Sequence, residues 1–521
     1  MVIGSPAARA GRREWIGLAV IALPCLLYSM DFTVLYLAVP SLSAALRPTA
    51  TELLWIVDIY GFLLAGSLIT MGRLGDRIGR RRLLLTGAAA FGGASVLAAF
   101  STSPLTLIAA RALLGVAAAT LAPSTLSLIR NMFLDPRQRT TAIAVWATSF
   151  SAGAAIGPPI GGLLLSHFWW GSVFLLAVPT MALLLVLGPL LLPEYRAPQP
   201  GRLDLTSAGM SVAAVLAVIF GLKEIARTGI GGLPVLSILV GLAVGLAFIH
   251  RQRTLADPLI DLQLFRARAF SLPLVANTLS LLAAFGASLF VAQYLQLVLG
   301  LSPWLAGWWA VPEAGGLIVG SMLAPLVARR VRPAFAMAAG MVLAGAGFGL
   351  LIGAATGTGL AFVVIGSVVY SLGVAPVVTL ATDLIVGAVP PDRAGTASGL
   401  SESSTEFGGA LGIAVLGSIT TAVYRAQVSG TIPAGLPADV RRAALDTLGG
   451  AVGAARSLPP ESRGALVHAA REAFVLGLQV AAVVCVALSI CLAVLLVFLL
   501  RDRPELEQRQ LNSVGEEGHD G

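Results

Sequence analysis

Gly72-Arg73-Leu74-Gly75-Asp76-Arg77-Ile78-Gly79-Arg80-Arg81-Arg82 is a short, strongly basic stretch between two apolar runs, 52–72 and 83–100. A run of about 20 apolar residues crosses ~30 Å of hydrocarbon. Working outward gives fourteen such runs, at about 15–37, 52–72, 83–100, 105–128, 140–165, 170–192, 206–222, 232–250, 269–297, 303–328, 334–354, 360–386, 398–424 and 474–500. They are long and continuous, without period-2 alternation, so they read as helices and not as barrel strands. The composition agrees. The 521 residues are 57% apolar and 12% charged, whereas a soluble protein carries roughly 25% charged residues. A soluble chain of this length cannot bury so much apolar surface. The expected class is an all-α integral membrane protein, and soluble, disordered and disulfide-scaffold classes are excluded.

The basic residues sort by membrane side, as the Lys/Arg bias of short loops predicts. With the N-terminus in the cytoplasm, cytoplasmic segments carry 24 of the 34 Lys+Arg and the short outer loops carry 3, namely Arg47, Lys223 and Arg227. Segment 425–473 carries 6, and Arg111 alone lies within a run. Both termini are therefore expected inside. Arg9, Arg12 and Arg13 precede the first run, which is too long for a signal peptide and reads as an uncleaved helix. Segment 425–473 reads as weak outer helices and 504–521 as a disordered cytoplasmic tail. A net charge of +8 is used up in this sorting, so no nucleic-acid partner is expected. Cys25, Cys485 and Cys491 sit in apolar runs and suggest neither a metal site nor a disulfide. Lys223 is the single lysine and lies outside any P-loop pattern, so no ATP hydrolysis by that route and no enzymatic activity are expected.

A faint repeat divides the chain. Leu323-Ala324-Pro325-Leu326-Val327-Ala328-Arg329-Arg330 is a degraded copy of the basic stretch, and Gly153-x3-Gly157 recurs as Gly408-x3-Gly412. Both offsets are eight runs. Two six-helix halves, 1–195 and 256–503, then flank two inserted helices in 196–255. Duplicated halves with a central site are a transporter architecture.

These stretches resemble the major facilitator superfamily over nearly the whole chain. The basic stretch matches the signature G-x-L-x-D-R-x-G-R-R-x-x-L. Leu107-x3-Arg111-x2-Leu114-Gly115 is similar to the proton-linked motif, with Leu114 in place of Gln and Ala117 in place of Gly. Gly153-x3-Gly157-Pro158-x2-Gly161-Gly162 resembles the antiporter motif. Asp31-Phe32-Thr33-Val34-Leu35-Tyr36-Leu37-Ala38-Val39-Pro40 resembles the first-helix motif of the fourteen-helix drug/proton antiporters, with Tyr36 in place of Asn. The resemblance implies the major-facilitator fold and proton-coupled export. No cofactor beyond the proton gradient is implied, and the usual state is a monomer. It also implies that Asp76, Arg77, Arg80 and Arg81, with Gly72 and Gly79, latch the two halves on the cytoplasmic side in the outward-open state. Positive charge that only sets topology is the plainer reading.

Ionisable groups at membrane depth are expensive and mark pathways or partners. At 1.5 Å per residue, Asp31, Asp58 and Arg111 reach a similar level. Two acids beside one arginine form a usable proton switch, if the arginine moves between them, although a static ion network fits as well. Glu313 and Glu406 reach the midplane from the second half, with Glu402 one turn from Glu406. Acids in an aromatic-lined cavity suit an organic cation by charge and cation–π attraction. Candidate aromatics are Tyr28, Phe32, Tyr36, Trp55, Trp146, Phe150, Tyr294, Trp308 and Trp309, while Trp169 and Trp170 suit the interfacial belt. The glycines beside Pro158 allow close helix contact, serving packing, gating or both. The expected function is a proton/drug antiporter of a bacterial cell membrane, in contact with lipid, protons and small amphipathic cations. A dedicated exporter of one natural product and a non-transporting sensor remain open.

Overall fold

A computed structural model describes residues 9–196, 204–255, 258–356, 359–389, 394–433 and 435–500. The 504–521 tail and Phe32, Arg227 and Asp392 side chains lie outside the described parts. In chain order the α-helices are α1 (Arg12–Leu46), α2 (Ala50–Ile78), α3 (Arg80–Ala99), α4 (Pro104–Ala118), α5 (Leu121–Met132), α6 (Pro136–His167), α7 (Ser172–Leu175), α8 (Ala177–Leu191) and α9 (Leu205–Thr228). There follow α10 (Gly232–Thr254), α11 (Arg268–Gln293), α12 (Pro303–Ala328), α13 (Pro333–Leu351), α14 (Leu360–Gly387), α15 (Ala394–Thr431), α16 (Ala438–Asp446), α17 (Leu448–Ala454) and α18 (Pro460–Leu500). No strand occurs among the described residues. Fourteen spans are long and apolar enough to cross a membrane, with α4–α5 and α7–α8 each forming one span.

Local chemistry sets the helix starts. Thr49 caps α2 and shares a capping box with Glu52, which satisfies two orphan N–H groups reciprocally. Asp135 caps α6, Asp204 caps α9 and Ser302 caps α12. Gly79 alone separates α2 from α3, at φ 112°. That left-handed backbone favours glycine, and a Cβ there would also stand 2.4 Å from Glu194 Oε1.

Helix packing repeats at an interval of eight spans. α1 packs on α6, α2 on α4 and α3 on α8; correspondingly α11 packs on α15, α12 on α14 and α13 on α18. The glycine pairs make close contacts here. A Cβ on Gly153 would lie 2.1 Å from Leu26 O and one on Gly157 2.3 Å from Thr33 Oγ1, so α6 sits directly on α1. Gly408 and Gly412 hold the same relation to Thr278 O and Leu282 O of α11, at 2.5 and 2.0 Å. The two groups meet along α2–α15 and α6–α12. Gly162 lies against Pro303 O, and Pro158 O against Gly307.

The hairpin α9–α10 joins neither group's internal packing. α9 lies on both α2 and α15, over their seam, through Phe62, Ile219, Ala410 and Ala414. α10 packs mainly on α9 and exposes Leu236, Leu239, Leu242 and Leu246, as a helix facing lipid does. The segment 425–473 is more helical than expected. α15 and α18 continue well into it, and α16 and α17 fill the gap. Ala-rich sequence propagates a helix beyond the apolar run.

Candidate functional site

Buried polar side chains form groups within each half and between the halves. The first is on α1 and α4. Arg111 is fully buried and donates to the Asp31 carboxylate and to Ile56 O of α2, the latter at 3.2 Å. Its guanidinium lies 4.5 Å over the Tyr60 ring and 6.0 Å from that of Phe174. Charge pairing, a carbonyl and two π faces together compensate a cation that cannot deprotonate. Asp31 is 13% exposed and lines a small cleft with Met30, Val34, Phe91, Val173 and Phe174.

The second group joins the two halves. Tyr28, one turn before Asp31 on α1, donates to Glu406 of α15, and both are buried. Tyr28 touches Phe150 edge-on at 5.5 Å, and Phe150 touches Trp146 at 4.9 Å. Trp146 Nε1 donates to Thr125 Oγ1 at 3.0 Å. Asn277 of α11 donates to Ser404 and Thr405, beside Glu406, at 2.9 and 3.0 Å. Tyr36 is buried further along α1, and its hydroxyl has no hydrogen-bond partner among the described residues.

The third group is within the second half. Glu313 of α12 accepts from Ser288 of α11 at 2.5 Å and from Tyr370 of α14 at 2.6 Å. Phe348 stacks on Tyr370 at 4.7 Å.

Several expectations need correction. Asp58 and Asp31 do not share Arg111. Asp58 instead binds Lys223, with the ammonium 2.9 and 2.7 Å from its two carboxylate oxygens. Lys223 does not lie in an outer loop. It lies inside α9, with its side chain fully buried and its ammonium 3.7 Å over the Trp55 ring. A lysine reads as a boundary, so the apolar run 206–222 stops short of a span that continues to Ala226. The spacing of Lys223 from Val215, Leu216 and Ile219, which face α2 and α15, marks it as belonging to the same helical face. Trp308 is 51% exposed and pairs edge-on with Trp304. Its position near the end of α12 suits an interfacial aromatic.

The basic stretch makes most of its bonds within the first half. Asp76 pairs with Arg80 at 2.5 Å, and Arg80 donates to Pro123 O at 3.3 Å. Arg81 reaches Glu194 and the carbonyls of Pro189 and Leu192. These bonds tie α2, α3, α5 and the end of α8 together inside the first half. Arg77 is exposed, and a Cβ on Gly72 would meet only Pro123, at 3.9 Å. Arg73 crosses to the second half, donating to Pro258 O at 2.7 Å. Asp383 is exposed near the end of α14.

Many apolar spans in two repeated groups, with buried charge between the helices, are the architecture of a multi-pass membrane transporter. A model of the Major Facilitator Superfamily matches residues 21–413, and the chain belongs to that family. It is 43% identical to the multidrug efflux pump LfrA of Mycolicibacterium smegmatis, over 94% of this chain and 97% of that one. It is 37% identical to the methyl viologen resistance protein SmvA of Salmonella typhimurium, over 89% and 93%. It is 33% identical to the tetracenomycin C resistance and export protein of Streptomyces glaucescens, over 97% and 95%. Among solved structures, an inward-facing bacterial homologue of the human lysosomal transporter Spinster aligns with TM-score 0.61 at 16% identity, over 93% and 98%.

Proposed function

We propose that this chain is a proton-coupled antiporter that exports amphipathic cations by alternating access. The reading treats 1–195 and 256–503 as the moving halves and 196–255 as an inserted hairpin. It places the arginine-rich end and both termini in the cytoplasm, with the protein acting as a monomer and the proton gradient as its energy source. One observation carries it: Tyr28 and Asp31 lie one turn apart on α1, the first bonded to Glu406 of the other half and the second to Arg111 of its own. A proton arriving at Asp31 removes the charge that holds Arg111. The same helix carries that change to the contact with Glu406. Asp31, Asp58, Arg111 and Glu406 are thus the coupling groups, and proton and drug use them in alternation.

Cationic cargo is supported by the acids and by the aromatic row of Tyr28, Phe150 and Trp146 beside Glu406. Glu313, Tyr36 and Trp55 extend this polar and aromatic lining. The similarity to LfrA and SmvA favours the same class, because SmvA is named for resistance to methyl viologen, a dication. Close packing of Gly153, Gly157 and Gly161 on α1, with Gly162 on α12, seals the seam at one end while the other opens. The basic stretch exchanges its present partners for the second half when the transporter faces outward. The similarity to the tetracenomycin C exporter favours a second reading, export of a single natural product.

Everted vesicles energised to an acidic interior test the proposal. Ethidium uptake that collapses on adding nigericin, and is lost in Glu406→Gln, is the expected result. Uptake that persists without a pH gradient excludes proton coupling. Resistance to one antibiotic with no dye transport supports the dedicated exporter.

A further inference from the structure

Lys223 is the single lysine among 34 basic residues, and its side chain is fully buried. A buried ion pair gives little net stability, because desolvation offsets the attraction. The pair therefore calls for another explanation.

The surroundings of the ammonium supply one. Trp55 and Asp58 are three residues apart on α2 and share a face. The Lys223 nitrogen contacts both oxygens of Asp58 and lies 3.7 Å from the centre of the Trp55 ring. No third polar partner meets it among the described residues. An ammonium has three N–H donors, yet this site compensates it with one carboxylate and one π face. Such a site answers charge and not hydrogen-bonding capacity. It suits an organic cation without N–H groups, which loses nothing by binding there. It also lies where α9 covers the joint of α2 and α15, a place that opens when the halves separate.

We propose that Asp58 and Trp55 form a binding site for monovalent organic cations, and that the Lys223 ammonium is its tethered occupant, displaced by the exported cation. The tether makes Lys223 a competitor at high effective concentration. Its return expels the cargo once the halves rearrange. A guanidinium would not serve, since its planar fork holds a carboxylate bidentately and releases it less readily. The inference rests on the proposed export of organic cations.

The single lysine makes the test direct. The full-length protein in lipid nanodiscs is treated with an amine-acetylating ester, with and without tetraphenylphosphonium, and modification of Lys223 and the N-terminal amine is read by mass spectrometry. Tetraphenylphosphonium should raise Lys223 modification severalfold and leave the N-terminal amine unchanged. Asp58→Asn should raise it without any ligand. Lys223→Met should tighten tetraphenylphosphonium binding by about tenfold, as removal of a tethered competitor requires. Bound ligand with Lys223 modification unchanged or reduced overturns the inference and leaves the export reading standing. Unchanged or weaker binding by a folded Lys223→Met does the same. A wild-type protein that neither binds nor exports the probe overturns both.

Discussion

Inside the helix bundle, Asp31 and Asp58 of the first half are held by cations, and Glu313 and Glu406 of the second by hydroxyls. Asp31 faces Arg111 and Asp58 faces Lys223, whereas Glu313 is bonded by Ser288 and Tyr370 and Glu406 by Tyr28. The two kinds of partner respond differently to a proton. A carboxylate that gains one loses its attraction to a neighbouring guanidinium. A serine or tyrosine hydroxyl can donate or accept, so a carboxyl beside it keeps a hydrogen bond in either state. In the proposed cycle the first half thus holds the switch, and the second holds acids that change protonation without losing their neighbours.

The strongest way to break this contrast is to remove a cation. Arg111→Met leaves Asp31 and Ile56 O without their donor, and the loss of one partner from a buried pair costs about 3–5 kcal/mol. Dye efflux should fall to background. Arg111→Lys should not restore it, because an ammonium cannot meet the carboxylate, the carbonyl and the Tyr60 face together. Efflux rates beside expression levels check both, and wild-type efflux by Arg111→Met would end the switch. The hydroxyl-bonded acids should be gentler. Glu313→Gln keeps an acceptor for Ser288 and Tyr370, and a neutral hydrogen bond contributes only about 1 kcal/mol. Its melting temperature in detergent should stay near that of wild type, while Asp31→Asn melts clearly lower. Equal losses would erase the distinction between the halves.

Packing gives the next effect. Gly157→Val drives a side chain into Thr33 at a site where Cβ alone would stand 2.3 Å from the hydroxyl. Overpacking of this kind costs about 1–3 kcal/mol, and efflux should drop with it. Gly72→Ala has only Pro123 within 4 Å and should leave the melting temperature unchanged. The smallest effect lies outside the membrane, at the inserted hairpin. Partial burial pushes the Asp204 carboxyl up, but hydrogen bonds from Ser207 and Arg251 outweigh that and hold it at about 2, below its ordinary 3.8. Its stabilising effect is therefore complete above pH 3.8 and is lost as pH falls through about 2. Asp204→Ala should cost about 1 kcal/mol as a lost N-cap at neutral pH. The gap between its melting temperature and wild type should close as the pH approaches 2.

Fold class, span number and the eightfold offset were legible because they depend on length, composition and repeated glycines. Each follows from the membrane's thickness or from backbone contact. Depth along a helix was legible too, and it brought Asp31 to Arg111. Azimuth was not. Asp58 is two residues from Ile56, whose carbonyl meets Arg111, yet a helix turns about 200° over two residues and Asp58 faces α9 instead. Lys223 was obscured because hydropathy treats a lysine as a boundary and cannot see a partner on another helix. Trp308 was misread for a related reason, since an aromatic residue suits a lipid interface as well as a cavity.

The central claim is exchange of protons for an organic cation. Proteoliposomes holding the purified protein and a trapped pH-sensitive dye, such as pyranine, measure it directly when ethidium is added outside. Ethidium entry should drive protons out and raise internal pH, and Asp31→Asn and Glu406→Gln should abolish this change. Ethidium entry through the wild-type protein with internal pH constant would contradict it.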